Sequence, residues 1–485
     1  MKKITILLLF CNISLMASAQ EVERPDQMRE MYRNMRSELK RGYNDHKQKL
    51  LDDYESYLNQ TWQEFKIQRL EPVAPSPIIT PPTKQDDVEE ELQEIVIDSS
   101  SVITSQIEAA PTSDHIDIMD FEQMMSNNIS VNFYGADLQL CYNPQTFNTK
   151  NPILETEVVQ FWKEIKMTNY SFLLSDLEMY KDKLQLNGGA FYLMVEHITE
   201  QIPSFVDDNQ RVAFNLFLLL EAGYDVKIAR IDDDFLALLI NVEEDVYSYP
   251  YSIDSDEKRY SIFTDKVIDS ETTVKSYSVT ELDSNQIPLS FRFAREVALP
   301  YEAHQFSLVH NGFKLQGELN KNRIDFYNDY PVCDISVYNN SHMDSTTKEQ
   351  ILSSIESQLK GYNTYDAINK LLAFMQFGIG YSTDTDQFGQ ERPLFAEEVL
   401  YYSKCDCEDK SILFAYLVKN CLLQETLLLE YPDHIAVAIG VDPNGAGRYF
   451  KFQDKIYTCC DPTYNGSSLG DCMPDYRDLT PKIIR

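Results

Sequence analysis

The sequence is poor in positive charge. It has 43 Lys and Arg residues against 77 Asp and Glu residues, which gives a formal net charge of −34 at pH 7. Nucleic-acid phosphates and an anionic membrane surface would both repel such a chain, so we expect neither as a partner. With 485 residues, 43% of them hydrophobic and 25% charged, the composition is that of a globular protein of two or three domains.

Long apolar segments are also missing. After the N-terminus, no run approaches the roughly 18 apolar residues of a membrane-spanning helix, so we expect no transmembrane segment once the N-terminal segment is removed. The N-terminus, MKKITILLLFCNISLMASAQ, has two lysines, a short apolar stretch and small residues up to Ala19. This pattern is typical of a signal peptide cleaved after Ala19, and it predicts a periplasmic or secreted protein. An uncleaved anchor is the alternative, for which the apolar run is short.

Metal-ligand spacing is a third absence. Of the nine cysteines, Cys11 lies in the predicted signal peptide, and six lie between residues 405 and 472. Cys405 and Cys407 are separated by one residue rather than the usual two, and His434 is the one histidine near them. The sequence therefore predicts neither a metal site nor a cofactor, although an exported chain could form disulfides.

The order of the patterns along the chain predicts an α+β protein. Apolar residues recur at three- and four-residue steps between residues 26 and 68, which indicates an amphipathic helix, and five prolines follow between residues 72 and 82. The helix either binds a partner or a second copy, or packs on its own protein. The predicted segments are a signal peptide (1–19), a helical or coiled-coil arm (20–70), a proline-rich disordered linker (71–114), an α/β module (115–286), a β-rich segment (287–344) and a C-terminal domain (345–485).

A cysteine stands at the start of a predicted helix in the C-terminal domain. In KCDCEDKS, Asp406 suits the N-cap position and Asp409 suits the capping-box position three residues later, which places Cys407 at the first helical residue. Unpaired N–H groups and the positive end of the helix dipole favour a thiolate there, and the thiolate is the nucleophilic form. The flanking acids oppose this effect.

A histidine and an aspartate follow at equal intervals of 27 residues. His434 opens the apolar strand HIAVAIGV, and Asp461 ends the segment RYFKFQDKIYTCCD. If residues 455–460 pair antiparallel with residues 435–441, Asp461 returns beside His434, provided that YFKFQDK is an excursion from the hairpin. The set would then provide a nucleophile, a base and a carboxylate that orients the base. Taken singly, each residue has an ordinary structural interpretation: an inert cysteine, a solvated histidine and a turn.

Together these three motifs resemble the transglutaminase-like superfamily, which belongs with the papain-like cysteine enzymes. CDCEDKS is similar to that family's G-D-C-x-D-K motif, DHIAVAI to its histidine motif and CCDPTY to its D-P-T motif. Glu397 stands where the family often has a glutamate, whereas Cys405 replaces a usual glycine. The resemblance covers about residues 345–475, and it implies a catalytic triad of Cys407, His434 and Asp461.

The resemblance also implies how the reaction would proceed. In the family, the nucleophile's backbone N–H and an upstream side chain hold the oxyanion, and Tyr381 and Gln387 are the candidates for that side chain. The implied function is an exported cysteine-dependent acyl-transfer enzyme that acts on a protein or peptide, with hydrolysis of peptide or amide bonds favoured over cross-linking. The alternative is a non-catalytic periplasmic binding or scaffold protein on the same fold.

The sequence of the α/β module resembles that of the C-terminal domain when residues 208–242 are aligned with residues 407–441 without gaps. Helix, break and two strands coincide, but Asp208 then replaces the cysteine, Phe235 the histidine and, further on, Thr264 the aspartate. This pattern leads to the hypothesis that residues 115–280 are an inactive transglutaminase-like copy. The alternative is two unrelated α/β segments with similar periodicities, and a different strand order would decide for it.

Overall fold

The structure is a computed structural model that describes residues 49, 51–70, 80–84, 92–95, 97, 102–103, 128–144, 146–254, 257–269, 271–277, 286–443, 445 and 447–485. The predicted signal peptide and most of the predicted arm lie outside these residues. The chain divides into two compact units, Met1–Tyr57 with Thr280–Asp283, and Leu58–Val279 with Ser284–Arg485. Of the first unit the structure describes residues 49 and 51–57, which are helical.

The second unit is a mixed α+β structure, as predicted. Its strands are β1 (Trp62–Glu64), β2 (Gln93–Glu94), β3 (Val102–Ile103), β4 (Asn128–Phe133), β5 (Ala136–Cys141), β6 (Val226–Ile231), β7 (Phe235–Asn241), β8 (Tyr251–Ile253), β9 (Arg259–Phe263), β10 (Val274–Tyr277), β11 (Ala303–His310), β12 (Phe313–Asn320), β13 (Gly380–Tyr381), β14 (Lys404–Cys405), β15 (Thr426–Tyr431), β16 (His434–Ile439), β17 (Arg448–Phe452), β18 (Lys455–Cys460) and β19 (Lys482–Ile484). Its helices are α1 (Glu155–Lys166), α2 (Tyr170–Lys183), α3 (Gly188–Glu200), α4 (Asp208–Glu221), α5 (Lys321–Asn328), α6 (Ile335–Asn339), α7 (Ser345–Leu359), α8 (Thr364–Gly378), α9 (Asp384–Phe388), α10 (Ala396–Tyr402) and α11 (Cys407–Cys421). Among the described residues, no helix combines the length and the apolar character that crossing a membrane would require.

Two large sheets share one strand order. The first sheet runs β1-β10-β6-β7-β9-β8, and the second runs β3-β19-β15-β16-β18-β17-β2. In each sheet a helix, α4 or α11, precedes the central antiparallel pair and packs on it. The five strands β10-β6-β7-β9-β8 therefore correspond one by one to β19-β15-β16-β18-β17, and the different order that would have excluded an internal copy is not found.

The register of these strands agrees as well. Leu238 of β7 pairs with Phe263 of β9, and Val437 of β16 pairs with Cys460 of β18, which places Thr264 where the second sheet has Asp461. In each sheet, an acidic residue just before the first strand of the central pair, β6 or β15, accepts a hydrogen bond from a tyrosine of β9 or β18. Tyr260 Oη donates to Asp225 at 3.0 Å, and Tyr457 Oη donates to Glu425 at 2.8 Å. Both the topology and this contact are repeated in the two sheets.

The predicted arm ends earlier than its apolar pattern suggested. The helix stops at residue 58, and Trp62–Glu64 form the edge strand β1, which pairs antiparallel with β10. The Trp62 ring stacks on Tyr277 with 4.2 Å between the ring centroids, and Phe65 and Ile67 pack against the core of the first sheet. This prediction was wrong beyond residue 58, because pairing with a sheet edge outweighs a helical period that the isolated segment could follow.

The predicted linker is not wholly detached from the domain. Where the structure describes it, Gln93–Glu94 pair in parallel with β17, and Val102–Ile103 pair in parallel with β19, so the linker supplies both edge strands of the second sheet. Lys84 also forms an ion pair with Asp471 at 2.7 Å. The prediction of disorder was wrong at these positions, because the outer strands β17 and β19 present unpaired backbone groups that a β-prone segment can satisfy.

The segment 287–344 is less β-rich than predicted. Strands β11 and β12 form a hairpin, but the chain then turns into helices α5 and α6. Asn320 caps α5 by accepting a hydrogen bond from the Asn322 N–H, and Arg323, Ile324 and Phe326 lie on its buried side. The sequence RIDFY, which alternates like a strand, is helical because this cap and this burial act together.

Candidate active site

The pairing of β16 with β18 brings His434 and Asp461 together. Ala438 lies opposite Cys459 and Val437 opposite Cys460, so Asp461 follows the last of these pairs toward the end of β16 that begins at His434. Strand β17 lies on the outer side of β18, so YFKFQDK is an excursion from the hairpin, as the hypothesis required. The His434 Nε2 atom lies 2.8 Å from Asp461 Oδ2, and both side chains are buried.

Asp461 is held firmly on the side away from the imidazole. Its Oδ1 atom accepts hydrogen bonds from the N–H groups of Thr463 at 2.9 Å and Tyr464 at 3.2 Å. Its backbone carbonyl accepts a hydrogen bond from Gln376 Nε2, which comes from α8 at 3.3 Å. One carboxylate oxygen thus fixes the turn, while the other fixes the imidazole.

Cys407 is placed against the same strand. Helix α11 packs on β16, where the Ser411 hydroxyl donates to the Ile435 carbonyl at 2.9 Å, and the Ile435 N–H acts to lower the pKa of the Cys407 thiol. The nucleophile candidate therefore lies close to the residue that follows His434. Its thiol lies 3.2 Å from Glu408 Oε2, to which it donates.

The second imidazole nitrogen of His434 is left without a partner. Within the part of the chain that the structure describes, the buried Nδ1 atom has no hydrogen-bond partner, and that includes the Cys407 sulfur. The structure thus forms the His434–Asp461 half of the predicted triad and places Cys407 on the adjoining helix turn, but the thiol does not engage the imidazole in this conformation. Because Nε2 is held by Asp461, Nδ1 is the nitrogen available to accept a proton.

The electrostatic surroundings of Cys407 differ from the prediction. Burial raises the pKa of its thiol well above the ordinary value, and the carboxylates of Glu408 and Asp406 raise it further, against the smaller opposite effect of the Ile435 N–H. The helix dipole was expected to favour a thiolate, but the thiol is the resting form. Asp406 occupies the N-cap position without capping the helix through its side chain, because that side chain belongs to a buried group of acids.

The two candidates for oxyanion stabilisation have different positions. Tyr381 in β13 lies opposite Cys405 in the parallel pair β13–β14, and the charge of Cys407 is among those that raise its pKa, after burial. Gln387 lies in α9, and among the described contacts none joins its side chain to Cys407 or His434. Tyr381 is therefore close to the nucleophile.

Glu397 has a structural position instead. It is 2% exposed and forms an ion pair with Arg323 at 3.0 Å, and its other oxygen accepts from the Asp344 N–H at 3.2 Å. These contacts tie α10 to α5 and to the start of α7. The glutamate thus supports the domain at a distance from the sulfur.

An aromatic residue that the sequence did not reveal covers the site. The Tyr476 ring stacks on the His434 imidazole, with 4.9 Å between centroids and 20° between planes. Cys407, His434 and Asp461 are each no more than 2% exposed. No motif marks Tyr476 in the sequence, because it comes from a 3-10 turn at Pro474–Tyr476, and only the fold brings it over the imidazole.

Carboxylates near Cys407 have the spacing of metal ligands, contrary to the expectation from sequence. Asp384, Asp406 and Asp409 can each offer an oxygen such that all three lie within 4.8 Å of one another, and Asp384, Glu391 and Glu408 can do the same. Sequence reasoning treated Asp406 and Asp409 as helix caps. It could not find Asp384 as their neighbour, because 22 positions separate it from Asp406 along the chain.

The corresponding place in the first sheet has no thiol and no imidazole. There the Leu236 N–H, at the position of Ile435, donates to Asn209 Oδ1 at 2.7 Å. Asp208, which the ungapped comparison placed over Cys407, has a side chain that is 62% exposed and pairs with Arg211. Both helices begin at the residues that the ungapped comparison aligned, Asp208 and Cys407, and the acceptor in the first sheet is the amide of Asn209, one residue further along the helix.

We compared the chain with models of protein families, with curated proteins and with solved structures, and none of the three comparisons finds a match.

Proposed function

We propose that this protein is a cysteine-dependent acyl-transfer enzyme of the transglutaminase-like class, which hydrolyses peptide or amide bonds through a thioester. The observation that carries the proposal is the arrangement of His434. Its Nε2 atom is held by Asp461 at 2.8 Å. Its Nδ1 atom is buried on the strand against which the Cys407 helix packs, and it has no hydrogen-bond partner among the described residues. A buried imidazole with one anchored and one open nitrogen is prepared to accept a proton.

The reaction would begin with the thiol form of Cys407. Rotation of the side chain away from Glu408 brings Sγ to His434 Nδ1, which takes the thiol proton while the sulfur attacks the substrate carbonyl carbon. The resulting oxyanion would accept hydrogen bonds from the Cys407 N–H at the start of α11 and from the Tyr381 hydroxyl. Asp461 stabilises the imidazolium that forms.

The tetrahedral intermediate then collapses. The C–N bond breaks, the imidazolium gives its proton to the departing amine, and a thioester remains on Cys407. Water attacks the thioester carbonyl as Nδ1 removes its proton, and the C–S bond breaks. The acid product leaves, and the sulfur regains the proton from the imidazolium. An amine in place of water would give a transferase by the same steps.

Entry of a substrate requires movement of the cover. The three side chains are no more than 2% exposed, and Tyr476 lies directly on the imidazole. We place the opening at the 3-10 turn Pro474–Tyr476, because this short turn carries the ring that shields His434. The substrate is thus a flexible segment of protein or peptide that can enter a narrow site.

The remaining sequence-based expectations belong to the same proposal. Signal-peptide cleavage after Ala19 would deliver the protein to the periplasm or the medium, and N-terminal sequencing of protein recovered from those fractions tests this. The first sheet, with Asp208, Phe235 and Thr264 at the corresponding places, would be an inactive copy of the fold that supports the second.

The proposal is tested by selective modification of the thiol. We expect iodoacetamide at neutral pH to alkylate Cys407 faster than the other buried cysteines, with the modified residue identified by peptide mass. His434→Ala should abolish that selectivity, because Nδ1 is the base. His304→Ala is the matched control, since the His304 ring contacts Tyr401 rather than the site, and it should leave the selectivity unchanged.

A second candidate function is a non-catalytic binding protein. The specific observation in its favour is that the Cys407 thiol bonds to Glu408 rather than to His434, within a covered site. Equal and slow alkylation of all buried cysteines, unaffected by His434→Ala, would favour this candidate and contradict the enzymatic one.

A further inference from the structure

A group of acids is buried beside Cys407. Asp406, Glu408 and Asp409 come from the start of α11, Asp384 from the start of α9, and Glu391 from the segment between α9 and α10. Asp384 is 2% exposed, Asp406 6%, Glu408 4% and Asp409 0%. So many carboxyl groups seldom share a buried place unless something compensates them.

Backbone N–H groups bind one carboxylate oxygen of Asp409 and one of Asp384, whereas some other oxygens of the group have no hydrogen-bond donor in the part of the chain that the structure describes. Asp409 Oδ1 accepts from the Leu394 N–H at 2.6 Å, and Asp384 Oδ2 accepts from the Arg392 N–H at 2.7 Å. Among the residues that the structure describes, the second oxygen of Asp409, Oδ2, and the Oδ1 atom of Asp406 are buried without a hydrogen-bond partner. Two orphan acceptors inside one acidic group indicate a missing donor or cation.

Two basic side chains in these segments bind other groups. Lys410, next to Asp409 in the sequence, donates through Nζ to the Ile379 carbonyl at 3.0 Å. The Arg392 guanidinium binds Glu398. Neither of these cations donates to the orphan oxygens of Asp406 and Asp409 among the described residues.

We propose that Asp384, Asp406 and Asp409, with Glu391 and Glu408 beside them, bind one divalent cation of the hard class, calcium by preference. All the donors are carboxylate oxygens, which hard cations prefer. Oxygens that surround a calcium ion at roughly 2.4 Å cannot be more than about 4.8 Å apart, and both groups of three carboxylates meet that limit. Asp384 belongs to both groups, so it is the central ligand. Five carboxylates from three segments suit the six to eight oxygen ligands of calcium better than the small, strict octahedron of magnesium.

The site goes beyond the proposed enzymatic function and does not rest on it. It would connect α9 and the segment around Glu391 to the start of α11. The test therefore uses the intact Cys407→Ala protein, in which no acyl transfer can occur. A failure of calcium binding and a failure of catalysis are then separate results.

The experiment is calorimetric titration of the EDTA-treated protein with calcium chloride, together with thermal unfolding in calcium and in EDTA. We expect saturable binding of one ion and a rise in Tm with calcium. Asp409→Asn and Asp384→Asn keep an oxygen for the backbone N–H and remove a charge, so each should weaken binding by at least about tenfold and reduce the calcium-dependent rise in Tm. Asp366→Asn, which changes an exposed acid in the first turn of α8, is the matched control and should retain both responses.

Stability in EDTA separates loss of binding from misfolding. Without calcium, Asp409→Asn should unfold at a Tm equal to or above that of the parent, because one buried negative charge is removed. Lower Tm in EDTA would mean that the negative charge stabilises the fold, and it would overturn the proposal. The proposal would also be overturned if the calorimetric titration showed no saturable binding of calcium, or if Asp409→Asn and Asp384→Asn both bound calcium as the parent does. Tighter binding of magnesium than of calcium would overturn the assignment of the ion.

Discussion

The charge of Asp461 is predicted to decide which nitrogen of His434 carries the proton. In Asp461→Asn the side-chain oxygen is expected to stay on the N–H groups of Thr463 and Tyr464, which need an acceptor. The amide nitrogen would then face Nε2 at the present 2.8 Å and donate to it. Nε2 must accept, so Nδ1 carries the proton and can no longer serve as a base.

The size of this effect follows from the change of tautomer. The equivalent replacement in a serine protease triad costs roughly 10⁴ in rate, which corresponds to about 5.5 kcal/mol of transition-state stabilisation. Stability should change far less, since the turn keeps both backbone hydrogen bonds and loses only one charge-assisted bond, worth on the order of 1.5–3 kcal/mol. The variant should therefore remain folded and be unreactive.

The assay is the second-order rate of alkylation at Cys407 by iodoacetamide, followed by peptide mass and accompanied by a thermal unfolding curve. Glu425→Gln is the control, because Glu425 accepts from Tyr457 in the same sheet but lies outside the site. It should alkylate at the wild-type rate. A folded Asp461→Asn protein that reacts as fast as wild type would refute the assignment of Nδ1 as the base.

Three further predictions concern the cover and the support of the site. Tyr476→Ala should speed labelling of Cys407 by a bulky maleimide more than labelling by iodoacetamide, because the ring over the imidazole is removed; an unchanged ratio of the two rates would place the entrance elsewhere. Arg323→Met should lower the free energy of unfolding by about 3–5 kcal/mol in urea titration, since it leaves the buried carboxylate of Glu397 unpaired, and Glu397→Gln in the same chain should recover much of the loss; no recovery would contradict the pairing. Burial raises the pKa of Glu398 from 4.5 to about 7. Between these pH values the folded state therefore binds a proton that the unfolded state has released. The free energy of unfolding should fall by up to about 3 kcal/mol as pH rises through that window. Glu398→Gln should flatten this slope in unfolding curves measured from pH 4.5 to pH 7, and an unaltered slope would show that other groups carry it.

Local patterns predicted the central part of the second sheet well. The apolar stretch that begins at His434 and the return through residues 455–460 pair as expected, because alternation and turn residues are properties of neighbouring positions. The spacing of His434 and Asp461 along the hairpin was therefore enough to predict that the two side chains meet. The same reasoning failed for Trp62 and for the helix containing Arg323, where burial against distant segments decides between two periods that the short sequences allow.

The chemistry of the thiol could not be predicted in the same way. The position of Cys407 at the first residue of a helix predicted a thiolate, because only the helix dipole and the adjacent residues can be judged from the sequence. Burial and the convergence of Asp406 and Glu408 with Asp384 act in the opposite direction. Desolvation depends on everything packed around an atom, and most of those neighbours are remote in the sequence.

The sequence by itself determined the α+β composition, the negative charge, and the order of cysteine, histidine and aspartate on a helix and a hairpin. These are consequences of residue type and near-neighbour spacing. Only the tertiary structure decided that the thiol is covered and protonated, that the linker completes the sheet, and that acids from separate segments form one buried group. Packing alone sets exposure, edge pairing and the distance between charges, and packing joins residues that the sequence keeps far apart.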